Sequence, residues 1–217
     1  MRDTNITKVD ENKKIKKCIG IMGGTFDPIH YGHLVTAEIV RADFKLDSVI
    51  FVPSGRPPHK LDQKVTDPEH RYRMTCLATQ SNPYFEVSRE EIDRAGYTYT
   101  IDTIKRYSEL YNGEAEFYFI TGADVVNQIL TWKEPESLLK MCEFIAVNRG
   151  GYKTEALFKD VENLSVNYGS KIHLMQVPLL DISSTAIRKR VSNGQTIKYL
   201  LPETVEAYIL EKNIYCE

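Results

Sequence analysis

Short apolar runs alternate along the chain with longer segments whose apolar residues recur at helical spacing. The short runs are rich in β-branched and aromatic residues, which predicts buried parallel strands joined by crossover helices. The strands are predicted at 18–22, 48–52, 84–88, 116–121, 143–147 and 171–177, and the helices at 33–45, 68–81, 100–111, 123–130, 134–140, 154–165, 183–192 and 202–212. We therefore predict an α/β fold, a Rossmann-like doubly wound parallel sheet of about six strands with a small C-terminal helical part at about 181–217.

The domain organisation follows from the continuity of this pattern, because no internal repeat, low-complexity tract or linker interrupts it after residue 18. The chain has 217 residues, of which 42% are hydrophobic, enough for one domain with a sizeable core but not for two full domains. We expect a polar N-terminal tail at 1–17 and a single domain at 18–217. The tail is interpreted as a solvated segment, with a cloning remnant or a weak contact arm as alternatives.

Charge and cysteine usage limit the partners and the compartment. The formal net charge is −2, so the chain lacks the overall basic field that attracts nucleic acid or anionic lipid. The four cysteines are scattered, which matches neither a disulfide framework nor a zinc spacing and favours a reducing cytoplasm. No apolar run is long enough to span a membrane. We expect a cytoplasmic protein without nucleic-acid or membrane partners, and a homo-oligomer stays open.

The segment 23–33 (GGTFDPIHYGH) follows the first predicted strand and carries the strongest chemical signal. Its two glycines let a ligand approach the backbone in a turn at 23–31, and a helix beginning at His33 would offer free N–H groups and the positive end of its dipole. His30 and His33 are three positions apart, so both imidazoles can reach one anion. The spacing is neither the dinucleotide fingerprint nor the lysine-bearing loop of common ATPases. It predicts a local phosphate site at the carboxyl edge of the sheet.

A second candidate phosphate element, 182–188 (ISSTAIR), follows the last predicted strand and opens a helix. Ser183 or Ser184 can cap this helix, and Arg188 lies one turn further in, where its guanidinium can clamp a phosphate. A well-capped basic surface helix is the alternative. Both elements lie at strand-to-helix junctions on one sheet edge, so they can face one nucleotide between them.

Together, the two elements resemble the nucleotidyltransferases that carry a HIGH-type motif. In that family the histidines hold the phosphates of ATP while an acceptor phosphate attacks the α-phosphorus in line and pyrophosphate leaves, without a covalent intermediate. The resemblance implies that the catalytic residues are His30, His33 and Arg188. It implies that ATP is bound by these three and by Gly23, Gly24, Thr25, Phe26, Asp124, Ile182, Ser183 and Ser184. It also implies Mg²⁺ carried with ATP, and no compact carboxylate cluster predicts a dedicated metal site.

Three further segments resemble the nicotinate-mononucleotide adenylyltransferases, which make deamido-NAD. The loop 53–60 (PSGRPPHK) matches a proline-proline-histidine-lysine loop that helps to hold the mononucleotide phosphate. The segment 97–103 (YTYTIDT) matches an S-Y-T-x-D-T element, with Thr98 in place of serine, that meets the pyridine carboxylate. In 120–133, Asp124 matches a ribose-binding aspartate and Trp132 a tryptophan that stacks on the nicotinate ring. The resemblance implies a mononucleotide site made of Thr25, Lys60, Thr98, Thr100 and Trp132.

Each of these segments also has a plainer interpretation. The proline-rich loop can be an ordinary surface turn, Thr98 or Thr100 can be a helix cap, and Trp132 can be a core residue. The resemblance runs from about Cys18 to Tyr215, with one departure at 148–151 (NRGG), where the family commonly has an arginine-proline-glycine turn. That departure leaves the adenine contacts open.

The resemblance predicts transfer of the adenylyl group of ATP to nicotinate mononucleotide, giving deamido-NAD and pyrophosphate in NAD biosynthesis. One rival is pantetheine-phosphate adenylyltransferase, whose chains are shorter and lack the elements at 57–60 and 98–100. Another is a non-catalytic nucleotide-binding protein, which the presence of both histidines and Arg188 argues against. The motifs favour a carboxylate acceptor but do not fix the preference for nicotinate over nicotinamide mononucleotide.

Overall fold

The computed structural model describes residues 16–57, 65–148 and 154–216. Six strands form one sheet in the order β3-β2-β1-β4-β5-β6, and every neighbouring pair is parallel. The strands are β1 (Lys17–Gly24), β2 (Ser48–Pro53), β3 (Phe85–Val87), β4 (Ala115–Gly122), β5 (Glu143–Asn148) and β6 (Ile172–Gln176). The strand order reverses between β1 and β4, which confirms the predicted doubly wound sheet and creates a crevice at the carboxyl ends of these two strands.

The helices alternate with the strands as predicted. Most predicted bounds differ from the observed ones by one to three residues, and three differences lie at the carboxyl edge of the sheet. The helices are α1 (Tyr31–Asp43), α2 (Pro68–Thr79), α3 (Thr100–Tyr111), the 3₁₀ segment η1 (Ala123–Thr131), α4 (Pro135–Met141), α5 (Thr154–Tyr168), α6 (Ser184–Ser192) and α7 (Glu203–Glu211). The predicted α-helix at 123–130 is a 3₁₀ helix. Its buried residues are Ala123, Val126 and Ile129, spaced by three, which is the period of a 3₁₀ helix.

The other two differences shorten the first turn. Strand β1 continues through Gly24 and α1 begins at Tyr31, so the turn predicted at 23–31 occupies 25–30. His30 is the N-cap of α1, in extended conformation with φ −150° and ψ 172°. The N–H groups at the start of α1 were expected to be free. The N–H of Tyr31 instead donates to the carbonyl of Leu200 at 3.2 Å, because the chain leading into α7 packs there.

Helices cover both faces of the sheet and bury two hydrophobic cores. Val49 and Phe51 of β2 belong to one core, and Ile50 and Val52 belong to the other, since successive strand residues point to opposite faces. Buried residues of α6 and α7 join the core of the first face. None of the described helices is long and apolar enough to cross a membrane. The boundary between a tail at 1–17 and a domain at 18–217 stays a prediction, because residues 1–15 lie outside the described ranges.

Candidate active site

Two adjacent cavities open at the carboxyl ends of β1 and β4. Their volumes are about 640 Å³ and about 670 Å³. Both are lined by Gly23, Gly24, Thr121 and Val125. The ends of these two strands are therefore a common wall, and ligands in the two cavities can meet over the glycines of β1.

The first cavity contains five of the residues predicted to bind ATP, namely Gly23, Gly24, Phe26, His33 and Asp124. The side chain of Asp124 is exposed at the start of η1, directly after β4. A carboxylate at such a strand end can accept hydrogen bonds from the two hydroxyls of a ribose. Asn148, part of the predicted departure from the family pattern, also lines this cavity, and Arg149, Gly150 and Gly151 lie outside the described residues.

The ring of His33 is held on three sides. The ring of His30 stacks on it with a centroid separation of 3.8 Å, and Phe26 meets it edge-on at 5.2 Å. Its Nδ1 accepts a hydrogen bond from the backbone N–H of His30 at 3.2 Å. An accepting Nδ1 carries no proton, so the neutral imidazole has its hydrogen on Nε2 and can donate from that nitrogen. His33 is thereby oriented as a hydrogen-bond donor at the wall of the first cavity.

His30 takes a different position from the one expected. Its side chain is 2% exposed and it lines neither cavity. A Cβ on Gly32 would lie 3.0 Å from the His30 ring, so this glycine leaves room for the buried imidazole. The prediction that both imidazoles reach one anion stays a prediction for His30.

The second predicted phosphate element lies directly against the first loop. Ser183 caps α6 by accepting from the N–H of Ala186 at 3.1 Å, which settles the choice between Ser183 and Ser184. Ser184 instead donates its hydroxyl to the carbonyl of Pro28 at 2.8 Å, and Arg188 Nη1 donates to the carbonyl of Asp27 at 2.7 Å. Neither these residues nor Ile182 line the two cavities. The structure thus joins the two elements, while phosphate binding by Arg188 stays a prediction.

The Asp27 carboxylate ties this loop to distant parts of the chain. The side chain is 4% exposed, and its two oxygens accept from the hydroxyl of Tyr215 at 2.6 Å and from the N–H of Thr66 at 3.1 Å. Burial and the negative charge of Asp27 raise the pKa of Tyr215, so the phenol keeps its proton and remains a donor. Tyr215 and Thr66 therefore hold the loop that leads into α1, the helix that carries His33.

Among the described residues, Arg71 is the largest side chain with no exposed surface, and the sequence did not predict its role. Its guanidinium donates to three backbone carbonyls, those of Thr66 at 2.8 Å, Thr25 at 2.8 Å and Gly55 at 3.2 Å. Burial lowers the pKa of the Arg71 guanidinium and the nearby Asp27 raises it. Arg71 thus connects the loop after β1 with the loop after β2. No sequence signal marks it, because an arginine in the polar helix α2 is typical of a solvated surface.

The second cavity contains Thr25, Thr98, Thr100 and Trp132, four of the five residues predicted for the mononucleotide. The half-buried ring of Trp132 packs edge-to-face on Phe119 at 5.9 Å, so it is both a packing residue and a cavity wall. The fifth predicted residue, Lys60, lies outside the described residues. The cap interpretation of Thr98 and Thr100 is wrong, because Tyr99 is the N-cap of α3 and makes no side-chain capping bond.

Several residues of the second cavity were not predicted. Lys133 pairs with Asp102 at 3.0 Å, and its ammonium lies 4.7 Å from the centre of the Tyr99 ring. Glu91 is buried at 8% exposure. It lies in an acidic run, 88–94 (SREEIDR), which resembles a solvated surface turn. Within residues 16–57, 65–148 and 154–216, no three histidine, cysteine or acidic side chains converge as metal ligands.

The fold and the paired cavities define a nucleotidyltransferase, and the family model described as cytidylyltransferase-like matches residues 21–190. Curated relatives include the probable nicotinate-nucleotide adenylyltransferases of Thermoanaerobacter sp. (strain X514) and Moorella thermoacetica. Each is 59% identical over 197 residues, covering 91% of this chain and 93% and 91% of the respective relative. The chain belongs to the nicotinate-nucleotide adenylyltransferase family, which confirms the resemblance inferred from the motifs.

Solved structures agree with this assignment. Plasmodium falciparum nicotinic acid mononucleotide adenylyltransferase matches with a TM-score of 0.72 in its complex with APC and 0.75 in its complex with NaAD. Both are 25% identical in sequence and cover 92% of this chain and 98% of theirs. The similarity therefore extends over nearly the whole chain, including the sheet edge that carries both cavities.

Proposed function

We propose that this protein transfers the adenylyl group of ATP to nicotinate mononucleotide, giving deamido-NAD and pyrophosphate in NAD biosynthesis. The observation that carries the proposal is the pair of cavities that meet over Gly23 and Gly24. A reaction that joins two nucleotides needs two sites whose phosphate ends meet, and this arrangement supplies them. The names of the relatives and of the NaAD-bound neighbour support the same reaction.

The first cavity suits ATP. The Asp124 carboxylate can accept from the adenosine ribose, and His33 Nε2–H can donate to a phosphate oxygen. The α-phosphorus would then lie over the glycine wall, open to attack from the second cavity. An acceptor phosphate oxygen forms a bond to the α-phosphorus, the bond from that phosphorus to the bridging oxygen breaks, and pyrophosphate leaves. Oriented donors aimed at the transferring phosphate are the main source of catalysis in such a step.

The second cavity suits a pyridine mononucleotide. The indole ring of Trp132 offers an apolar, electron-rich surface to a cationic pyridinium ring. The first residues of α3, Thr100 and Ile101, line the cavity, so a carboxylate can approach the positive end of the helix. This combination favours nicotinate mononucleotide as the acceptor. We assign the mononucleotide phosphate to the side of the cavity nearest Thr25.

A divalent metal ion is part of the substrate, and we propose Mg²⁺ bound to the ATP phosphates. Mg²⁺ is usually held by nucleotide phosphates, water and one or two carboxylates, which fits a described site without a converged ligand set. It would neutralise charge on the leaving pyrophosphate. We also propose a cytoplasmic location, which the four free cysteines support.

The reaction is tested by incubating purified protein with Mg-ATP and one acceptor at a time and measuring pyrophosphate release. We expect release with nicotinate mononucleotide, with nicotinamide mononucleotide measured in parallel to establish the preference. Release with phosphopantetheine alone would contradict the acceptor assignment. If no acceptor supports release, the protein is a nucleotide-binding protein without this activity.

Replacing Gly122 with alanine tests the role of Asp124 without removing it. The added Cβ would overlap Asp124 Oδ1, which lies at the end of a flexible side chain, so the carboxylate should rotate away while the fold is kept. A hydrogen bond to a charged group contributes about 1.5–3 kcal/mol, so we expect the KM for ATP to rise about tenfold or more. Steady-state kinetics on Gly122→Ala and Asp124→Ala should give the same change, with the KM for the mononucleotide nearly constant. An unaltered KM for ATP in both variants would show that Asp124 does not contact ATP.

A further inference from the structure

Glu91 is a buried acid in the wall of the second cavity, and the proposed mechanism gives this residue no role. It is 8% exposed, and its Oε1 accepts a hydrogen bond from the Thr103 hydroxyl at 2.8 Å. The Thr98 hydroxyl also interacts with this carboxyl, without the geometry of a full hydrogen bond. Oε2 accepts no hydrogen bond from the residues that the structure describes. Glu91 thus lines the mononucleotide cavity, and only one of its carboxyl oxygens accepts a hydrogen bond within the described part of the chain.

The neighbouring Glu90 shows how an acid in this turn is normally compensated. Its carboxylate pairs with Arg94 at 2.8 Å and with Arg106 at 3.7 Å, and it does not line the cavity. In the part of the chain that is described, Glu91 has no ion pair. Ordinary burial of a charge requires such a partner, so the environment of Glu91 suits the neutral acid better than the carboxylate.

The charged groups around Glu91 do not reverse this preference. Burial is the largest effect and raises its pKa, the Thr103 and Thr98 hydroxyls and Arg94 lower it, and Glu90 raises it. Arg71 also interacts electrostatically with Glu91, but the N–H donors of Arg71 are bonded to backbone carbonyls. Lys133, which lines the same cavity, is paired with Asp102.

We propose that Glu91 is a specificity-determining residue: as the neutral acid it lets the second cavity accept the nicotinate carboxylate, and as the carboxylate it favours nicotinamide mononucleotide. The inference rests on the proposed function. A protonated carboxyl can donate its O–H to an anion, as buried acids do in other active sites. An ionised carboxyl would repel the anion across a poorly solvated cavity, while it could accept a hydrogen bond from an amide NH₂.

The direction in which substrate preference changes with pH follows from the raised pKa of Glu91. Glu91 keeps its proton to a higher pH than an exposed glutamate, so discrimination in favour of nicotinate mononucleotide is greatest at low pH. It is lost as the pH rises through the pKa of Glu91 in the folded protein. Both mononucleotides carry the same ribose phosphate and react with the same ATP, so the ratio of the two kcat/KM values isolates the group that senses the pyridine substituent.

The first experiment measures this kcat/KM ratio from about pH 5.5 to about pH 9, a range that brackets raised carboxyl pKa values. We expect the wild-type ratio to fall about tenfold or more as the pH rises. Glu91→Gln, which is neutral throughout, should keep a constant ratio, while the ratio in Glu90→Gln should still fall with pH, with its midpoint at a lower pH because the charge of Glu90 is lost. A pH-independent ratio in the wild type, or the wild-type slope in Glu91→Gln, overturns the proposal.

A second experiment needs neither a variant nor turnover. Calorimetric titration of the wild type with each mononucleotide, in buffers of different ionisation enthalpy, counts the protons taken up on binding. Above the pKa of Glu91, nicotinate mononucleotide should take up about one proton more than nicotinamide mononucleotide, because only the anion requires the neutral acid. Equal proton uptake overturns the proposal. Failure of the proposed function has a different result, the absence of pyrophosphate release with either mononucleotide at any pH.

Discussion

Replacing His33 with alanine is expected to lower kcat by about 10²- to 10³-fold, the usual loss when one oriented donor to a reacting group is removed. The KM for nicotinate mononucleotide should change little, because His33 lines the first cavity and not the second. The physical reason is the orientation of the ring. The hydrogen bond from the His30 N–H to Nδ1 and the rings of His30 and Phe26 aim Nε2 before substrate binds. Steady-state kinetics at saturating ATP measure the effect.

Two further variants separate the catalytic role of this ring from its structural role. In His33→Asn, the amide oxygen can replace Nδ1 as the acceptor for the His30 N–H, but the side chain has no atom at the position of Nε2. This variant should therefore lose as much activity as His33→Ala. The longer amide of His33→Gln places a donor near Nε2 and should recover part of kcat. His70→Ala, which removes a ring that is bonded to Tyr208 and lines neither cavity, is the control. If kcat and mononucleotide affinity fall equally in His33→Ala, the histidine is structural.

Replacing Arg71 with methionine is expected to lower the free energy of unfolding by about 3–5 kcal/mol. This is the range for removing one partner of a buried charged network, because the groups left behind keep their desolvation cost. Three backbone carbonyls would lose their donor, and Asp27 would lose a nearby cation. Urea unfolding, followed by circular dichroism at fixed temperature and pH, measures the change.

The matched control for Arg71 lies two residues away on the same helix. Arg73 is exposed, so Arg73→Met should change stability by no more than about 0.5 kcal/mol. Arg71→Lys should give an intermediate loss, since an ammonium group keeps the charge but cannot span three carbonyls as a planar guanidinium does. A loss below about 1 kcal/mol in Arg71→Met would show that the loops after β1 and β2 are held without it.

The differences between sequence and structure have identifiable physical causes. The turn at 25–30 is shorter than predicted because hydrogen-bonded neighbours extend β1 to Gly24 and because contacts across the chain define the start of α1 at Tyr31. Periodicity alone could not distinguish an α-helix from the 3₁₀ segment η1, since apolar residues three apart are compatible with both. These differences in boundaries and in one helix type leave the strand order and the position of the site unchanged.

The sequence by itself determined the alternating architecture and the family, and it predicted a phosphate site at 23–33. Those properties depend on side-chain periodicity and on short contiguous motifs, which a linear pattern records. Only the tertiary structure decided which groups share an environment. It separated His33 at a cavity wall from the buried His30, joined α6 to the first loop, and revealed Arg71 and Glu91 as buried ionisable residues. Burial and hydrogen-bond partners arise from segments distant in sequence, so no local pattern could have predicted them.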